Sequence, residues 1–316
     1  MFNRTVVILN KYKRVMRAQL KSIIHILFIL LFLVSCSHPK LFSNLKSKSS
    51  TEFKIASYNI RCDVTSDIVS GNAWEIRKRP LADLIVNYDF DIVGIQEPYQ
   101  NQLDDLQNML KDYDYVWAPY ATKSFLAIYY KKELFDVLDE GMFWLSETPE
   151  IKSMGWDADE YRIVHWAKFK HKETDKEFYC FNTHFYWKKI TARQNSGPLS
   201  AKKIKEIAGD RPIIFLGDLN SQPTTSQIDS LKTVLNDVAE ITQTPRKGPE
   251  KTAFRGGVFQ GEPNSRIDYI FVSKDIKALD YTVYDDTYGE EDRYPSDHFP
   301  ISSNIIIKGV SHELCK

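Results

Sequence analysis

The chain has 316 residues, enough for one large layered domain, and its 42 Lys+Arg are offset by 42 Asp+Glu. That neutrality hides an asymmetry: the first 35 residues hold six basic side chains and no acidic one, leaving 36 Lys+Arg against 42 Asp+Glu, a net charge of −6, in the remainder. An acidic body tells against a protein that gathers nucleic acid by non-specific attraction, although net charge says nothing of a local basic groove.

The amino-terminal segment reads as targeting. Residues 23–34 are almost unbroken apolar sequence, preceded by Lys11, Lys13, Arg14, Arg17 and Lys21. A spanning helix needs about 20 apolar residues, so this run suits the body of a secretory signal better than a permanent anchor. Met16 starts a signal of more ordinary proportions. Leu33-Val34-Ser35-Cys36 resembles the lipobox of bacterial lipoproteins, which implies a signal peptide over 1–35, lipidation at Cys36 and an extracytoplasmic, envelope-anchored protein. A plain secretory signal or an uncleaved anchor is the alternative, and Ser37 is compatible with an outer-membrane destination. Residues 36–51, rich in Ser and Lys, form a solvated tether.

From 52 to 308 a single domain is expected, with 309–316 a tail. Apolar, β-prone runs recur at 53–60, 91–96, 125–130, 163–169, 178–183, 212–216, 267–272 and 301–307, several apolar throughout, as strands covered on both faces are. Helical patterns lie at 77–88 (Leu81, Leu84, Ile85, Tyr88), 101–110 (Leu103, Leu106, Leu110) and 200–208 (Ala201, Ile204, Ile207, Ala208). The mixture indicates an α/β sandwich with sheet against sheet and helices outside. Cys62, Cys180 and Cys315 show no metal-type spacing; they allow at most one disulfide and are taken as structural.

Five segments at or after strand ends carry polar residues that a strand does not need. They are Ser57-Tyr58-Asn59, Ile95-Gln96-Glu97, Asn182-Thr183-His184, Gly217-Asp218-Leu219-Asn220 and Ser296-Asp297-His298. Carboxylate, carboxamide and imidazole without an exposed nucleophilic Ser or Cys suit a hard cation with oxygen ligands and water as nucleophile. Singly, each has a plainer reading: Gly-Asp-x-Asn as a turn, Glu97 as a loop acid, either His as a satisfied, partly buried side chain.

Together with Arg266-Ile267-Asp268-Tyr269, these segments resemble the endonuclease/exonuclease/phosphatase superfamily over roughly 53–307. The resemblance implies a four-layer α/β sandwich, two mixed β-sheets packed face to face with helices outside, and a metal-dependent phosphoric ester hydrolase. By position it implies Glu97 as principal Mg²⁺ ligand (Mn²⁺ being the alternative ion), with Asn59 and Asp297 at the metal. It further implies Asp218 orienting or deprotonating the attacking water, Asn220 holding phosphate, His298 supported by Asp268, and His184 donating to a phosphate oxygen. Asn182 and Arg61 are the expected substrate contacts beside them. Arg61 stands where apurinic endonucleases carry an acid, which weakens a DNA-repair reading; a guanidinium there holds phosphate instead.

Gly141-Met142-Phe143-Trp144-Leu145-Ser146 and Gly155-Trp156-Asp157-Ala158, with Arg162 beyond, resemble a secreted bacterial subgroup. Trp144, Trp156 and Trp187 would line an apolar or sugar-stacking wall, or else belong to the core. Arg162 would grip a second anionic group, or pair with Asp157 or Glu160. The expected activity is hydrolysis of a phosphodiester or phosphomonoester of a small molecule, lipid headgroup or phosphorylated glycan by a monomer. Its rivals are a secreted nuclease, nucleic acid being the less favoured partner, and a non-catalytic ligand-binding lipoprotein.

Overall fold

A computed structural model describes residues 50–308. The signal peptide, Cys36, the tether up to residue 49, the tail and Cys315 lie outside the described residues. Two sheets face each other. The first has the order β11(Ile276–Ala278), β13(Ile301–Lys308), β1(Ser50–Asn59), β2(Ile92–Gln96), β4(Phe125–Lys131), β3(Tyr113–Pro119), with β12(Thr282–Val283) also on β13. The second has the order β5(Phe135–Trp144), β6(Ile163–His171), β7(Glu177–His184), β8(Ile213–Asp218), β10(Asp268–Val272), β9(Asn236–Asp237). Each sheet is antiparallel except for one central parallel pair, β1 with β2 and β7 with β8.

Side-chain alternation explains both the packing and the site. Because successive residues of a strand face opposite ways, Phe53 and Ile55, Ile214 and Leu216, Ile270 and Val272, and Phe178 and Cys180 meet in the core between the sheets. Continuing the same parity gives Asn59, Asp218 and, at the start of β10, Asp268, with Asn182 and His184 on β7. The inward face of each central strand is thus greasy along its length and polar at one end. The other parity, Tyr58, Val93 and Ile95 on one sheet and Phe215, Tyr269 and Phe271 on the other, packs under helices.

Those helices form the outer layers. Among the described residues, α1(Thr65–Val69), α2(Trp74–Asn87) and α3(Gln100–Met109) follow strands of the first sheet, and α4(Ile190–Ala208), α5(Ser226–Lys232) and α6(Val238–Ile241) those of the second. Leu81, Ile85, Leu103 and Leu106 cover the first sheet; Ala201, Ile204, Ile228 and Leu231 cover the second. Helix α4 is longer than its expected 200–208: it begins at Ile190 and runs through Gly197-Pro198. Gly197 is there for contact: a Cβ would sit 2.4 Å from Gln227 O on α5.

Candidate active site

The polar ends of the central strands converge on one cleft of about 660 Å³, whose lining includes Glu97, His184, Asp218, Asn220, Asp297 and His298. Residue 218 pairs with His184 on one side and Asp268 on the other in the second sheet, while Asn59 pairs with Gln96, next to Glu97, in the first. Gly217 makes the first of these junctions possible. Its φ is +144°, and a Cβ would stand 2.0 Å from Thr183 O, so a side chain there would force β7 and β8 apart.

Asn59 links the sheets. Its Nδ2 donates to Glu97 Oε1 (3.1 Å) and to Asp218 Oδ2 (3.0 Å), and its Oδ1 accepts from Arg61 N (3.0 Å). This corrects the expectation of Asn59 as a metal ligand: it turns its amide nitrogen, not its oxygen, to the carboxylates, and so orients them. Glu97 also accepts from Cys62 N (3.3 Å). Asp218 Oδ1 accepts from Asn220 N at 2.9 Å, and Asn220 Nδ2 reaches Phe185 O and His184 Nε2, each at 3.0 Å. Asp297 Oδ2 accepts from Gly257 N at 2.8 Å and lies 3.6 Å from Arg61 Nη1. Arg61, Glu97 and Asn220 all adopt positive φ, at 57°, 66° and 46°. Left-handed backbone at three residues of one site is strain held by surrounding contacts.

The two histidines occupy opposite electrostatic states. Burial alone would lower the pKa of His298, but the charges of Asp268 and Asp218 and the bond from Nδ1 to Asp268 (3.0 and 3.1 Å to its oxygens) outweigh it and raise it well above the ordinary value. Thr252 Oγ1 donates to Asp268 Oδ2 at 2.6 Å and so fixes that carboxylate. At His184 burial outweighs the charges of Asp218 and Glu97 and lowers the pKa. Its Nε2 lies 3.3 Å from Asp218 Oδ2 as well as beside Asn220, and its buried Nδ1 has no protein partner and points towards Glu97 Oε1, 3.9 Å away.

Burial also raises the pKa of Asp218 and of Asp297, each opposed by imidazole charge, whereas His184 and His298 outweigh burial at Glu97 and hold it low, at about 2. A buried surplus of carboxylate oxygens beside an unpartnered imidazole nitrogen is a donor set that a hard divalent cation would neutralise. Glu97 and Asp297 line the cleft together with Asp218. Asp218, Asp268 and His298 also place ligand atoms within 4.8 Å of one another.

Two other expected residues are placed differently. Asn182 is fully buried and off the cleft: Nδ2 donates to Ile95 O (2.9 Å) and Ala127 O (2.8 Å), and Oδ1 accepts from Gln96 Nε2 (2.7 Å). With all its hydrogen-bonding groups engaged across the sheets, it is a staple and not a substrate contact. Asp157 is not the partner of Arg162; it accepts from Ala192 N (2.7 Å) at the start of α4, and Glu160 takes the guanidinium at 3.1 Å. Arg162 does line the cleft, as do Arg61 and Trp187. Arg61 shares its charge with Asp67, bonded at 3.0 and 3.1 Å, and Asp297. Trp144 is buried, edge-on to Tyr161, and Trp156 does not line the cleft.

Sequence reasoning missed Asp67, Thr252 and Arg77. Arg77 is wholly buried, and its five N–H groups go to five main-chain carbonyls: Asn72, Ile60, Pro295, Arg61 and Cys62. It thereby ties the turn carrying Arg61 to the segment that precedes Asp297. Ser296 Oγ adds a bond to Asn59 O at 2.7 Å. No local pattern announces such contacts, because the groups satisfied are backbone and distant in sequence.

Among the described residues, no hydroxyl or thiol lining the cleft is hydrogen-bonded to an imidazole, and burial with the neighbouring Glu97 charge pushes the Cys62 thiol up to about 12. No lining hydroxyl or thiol is thus set up as an activated nucleophile. The chain belongs to the Endonuclease/Exonuclease/phosphatase family, which matches residues 56–298, and it is a phosphoric ester hydrolase. A family member of known structure from Bacteroides thetaiotaomicron is 35% identical, covering 82% of this chain and 96% of its own, with a TM-score of 0.77. A mannosyl-6-phosphatase of Bacteroides thetaiotaomicron VPI-5482 is 36% identical, covering 80% and 99%, with a TM-score of 0.75. An uncharacterized protein of Acanthamoeba polyphaga mimivirus is 28% identical over 203 residues, 60% of this chain and 74% of its own. Cys62 and Cys180 are free thiols.

Proposed function

We propose that the protein is a Mg²⁺-dependent phosphomonoesterase of phosphorylated glycans, working outside the cytoplasm on a lipid anchor at Cys36. The observation that carries the chemistry is the meeting of Glu97, Asp218, Asp297, His184 and His298 on one cleft. Similarity to a mannosyl-6-phosphatase supports the substrate class, and a mature charge of −6 disfavours nucleic acid.

Bound at Glu97 and Asp297, with Mn²⁺ as alternative, the cation would polarise the phosphoryl group and offset charge at its oxygens. The protein's own groups do the rest. Asp218, its Oδ1 fixed by Asn220 N and its Oδ2 by Asn59 Nδ2, orients a water and takes its proton. His298, cationic and bonded to Asp268, stands 3.8 Å from Asp218 Oδ2 and stabilises negative charge on the phosphoryl oxygens or protonates the departing alkoxide. His184 Nε2 can accept from Asn220 or donate to Asp218, which lets it follow the proton as Asp218 changes state. With the amide hydrogens of Asn59 and Asn220 engaged within the protein, His184 Nδ1, which has no protein partner, is the group left to hold a further phosphoryl oxygen.

The test uses residues 37–316 with Mg²⁺ and three substrates: mannose 6-phosphate, a phosphodiester and single-stranded DNA. Phosphate release from the sugar should dominate, stop in EDTA and return with Mg²⁺ or Mn²⁺. Asp218→Ala should lose activity by orders of magnitude with little change in melting temperature. Faster cleavage of DNA than of the sugar phosphate would reverse the assignment, and activity persisting in chelator would remove the metal. Metabolic labelling with a radioactive fatty acid, lost in Cys36→Ser, tests the anchor; an unlabelled full-length chain would refute it.

A further inference from the structure

One wall of the cleft carries no part of the reaction, yet it is built as a site. It comprises Tyr120, Ser124, Glu160, Tyr161, Arg162 and Trp187, at the corner where the end of β3, the end of β5 and the start of β6 meet. We propose that Arg162, Glu160 and Trp187 form the subsite that recognises the uncharged, hydroxyl-bearing part of the substrate, adjacent hydroxyls of a sugar ring, beside the reacting phosphate. The inference rests on the phosphomonoesterase reading and specifies where that enzyme reads its substrate.

Arg162 is 9% exposed and its guanidinium is held against two aromatic rings, 5.4 Å from the centre of Tyr120 and 5.7 Å from that of Tyr186. Nη1 donates to Tyr161 O at 3.2 Å and Nη2 reaches Glu160 at 3.1 Å, while Nε has no protein partner. A buried donor left unpaired is costly, and a cationic fork fixed in orientation with spare N–H groups at a cleft is prepared for a ligand oxygen.

Charge decides which kind. Glu160 neutralises Arg162 directly; Lys188 lies 3.6 Å from Glu160, and the Tyr186 hydroxyl donates to Asp159. With the Arg162 charge already taken by Glu160, a second phosphate there would meet the carboxylates of Glu160 and Glu97, both of which line the cleft. A guanidinium beside a carboxylate instead offers donor and acceptor side by side, and neighbouring hydroxyls each donate and accept. Trp187, 54% exposed on the same cleft, provides an aromatic face for the C–H side of a ring, with Lys188 Nζ 5.0 Å from it. At about 660 Å³ the cleft is of whole-ligand size, far larger than one phosphate.

The test compares kcat/KM for mannose 6-phosphate and for p-nitrophenyl phosphate, whose aryl group has no ring hydroxyls, in wild type, Arg162→Met and Glu160→Gln. Glu160 is a surface side chain, so its variant keeps the experiment informative should loss of Arg162 compromise folding. In both variants the preference for the sugar substrate should fall tenfold or more, mainly through KM. Parallel losses on both substrates with the ratio held within twofold would make the pair structural and overturn the subsite. So would a wild-type preference for mannose 1,6-bisphosphate that Arg162→Met abolishes, since that marks a second anion site. Hydrolysis of p-nitrophenyl phosphate without any sugar phosphate would refute the subsite and leave the phosphoesterase standing; no hydrolysis of either with Mg²⁺ would take both down.

Discussion

Replacing Asn182 by Leu separates a staple from a substrate contact. The side chain volumes are similar, so the main loss is of three hydrogen bonds: from Nδ2 to Ile95 O and to Ala127 O, and from Gln96 Nε2 to Oδ1. At about 1 kcal/mol net for each, with an added cost for groups left unpaired in a dry interior, the expected loss is about 3–5 kcal/mol. For a domain of this size that is a fall in melting temperature of roughly 6–20 °C. Gln96 keeps partners in Ser57 Oγ and Gly94 O, so the strand leading to Glu97 remains anchored. Assayed well below the new melting temperature and normalised to folded protein, KM should stay within about threefold of wild type. A tenfold rise in KM with the melting temperature intact would restore Asn182 to the substrate and refute the reasoning.

Three further outcomes follow from the geometry. Arg77→Met strips donors from five buried carbonyls and should cost at least about 3–5 kcal/mol in chemical denaturation; Arg77→Lys, with three donors on a flexible stem, should not restore it. Asp268→Asn removes the strongest charge raising the His298 pKa. Since activity that needs the imidazolium is lost as pH rises through that pKa, the basic limb of the kcat/KM profile should move to lower pH; an unmoved limb would take His298 out of that role. Gly217→Ala should lower kcat more than tenfold and destabilise by over about 2 kcal/mol, because a Cβ 2.0 Å from Thr183 O separates His184 from Asp218; wild-type turnover would contradict the junction described.

What the sequence reveals depends on where each strand lies. The central strands are legible because both faces are buried, which makes them apolar runs, whereas β3 and β5 escape because they are edges; β5 is mostly exposed and bulged between Val137 and Asp139. Strands β9, β11 and β12 are two or three residues long and too short to show a period. Strand-end position marked Glu97, Asp218, Asp297 and His298 for the cleft, and the same logic misled at Asn182, which is polar, inward and near a strand end but meets the opposite sheet instead of solvent. The left-handed turns at Arg61, Glu97 and Asn220 have no glycine to announce them.

The first and last strands of the domain also set its orientation. Ser50 lies opposite Lys308 in the β1–β13 ladder, so the chain enters and leaves this body side by side. Asn59 sits at the other end of the ten-residue β1, roughly 30 Å away at about 3.3 Å per residue. The mouth of the cleft and the point where the polypeptide joins the domain are therefore opposite poles.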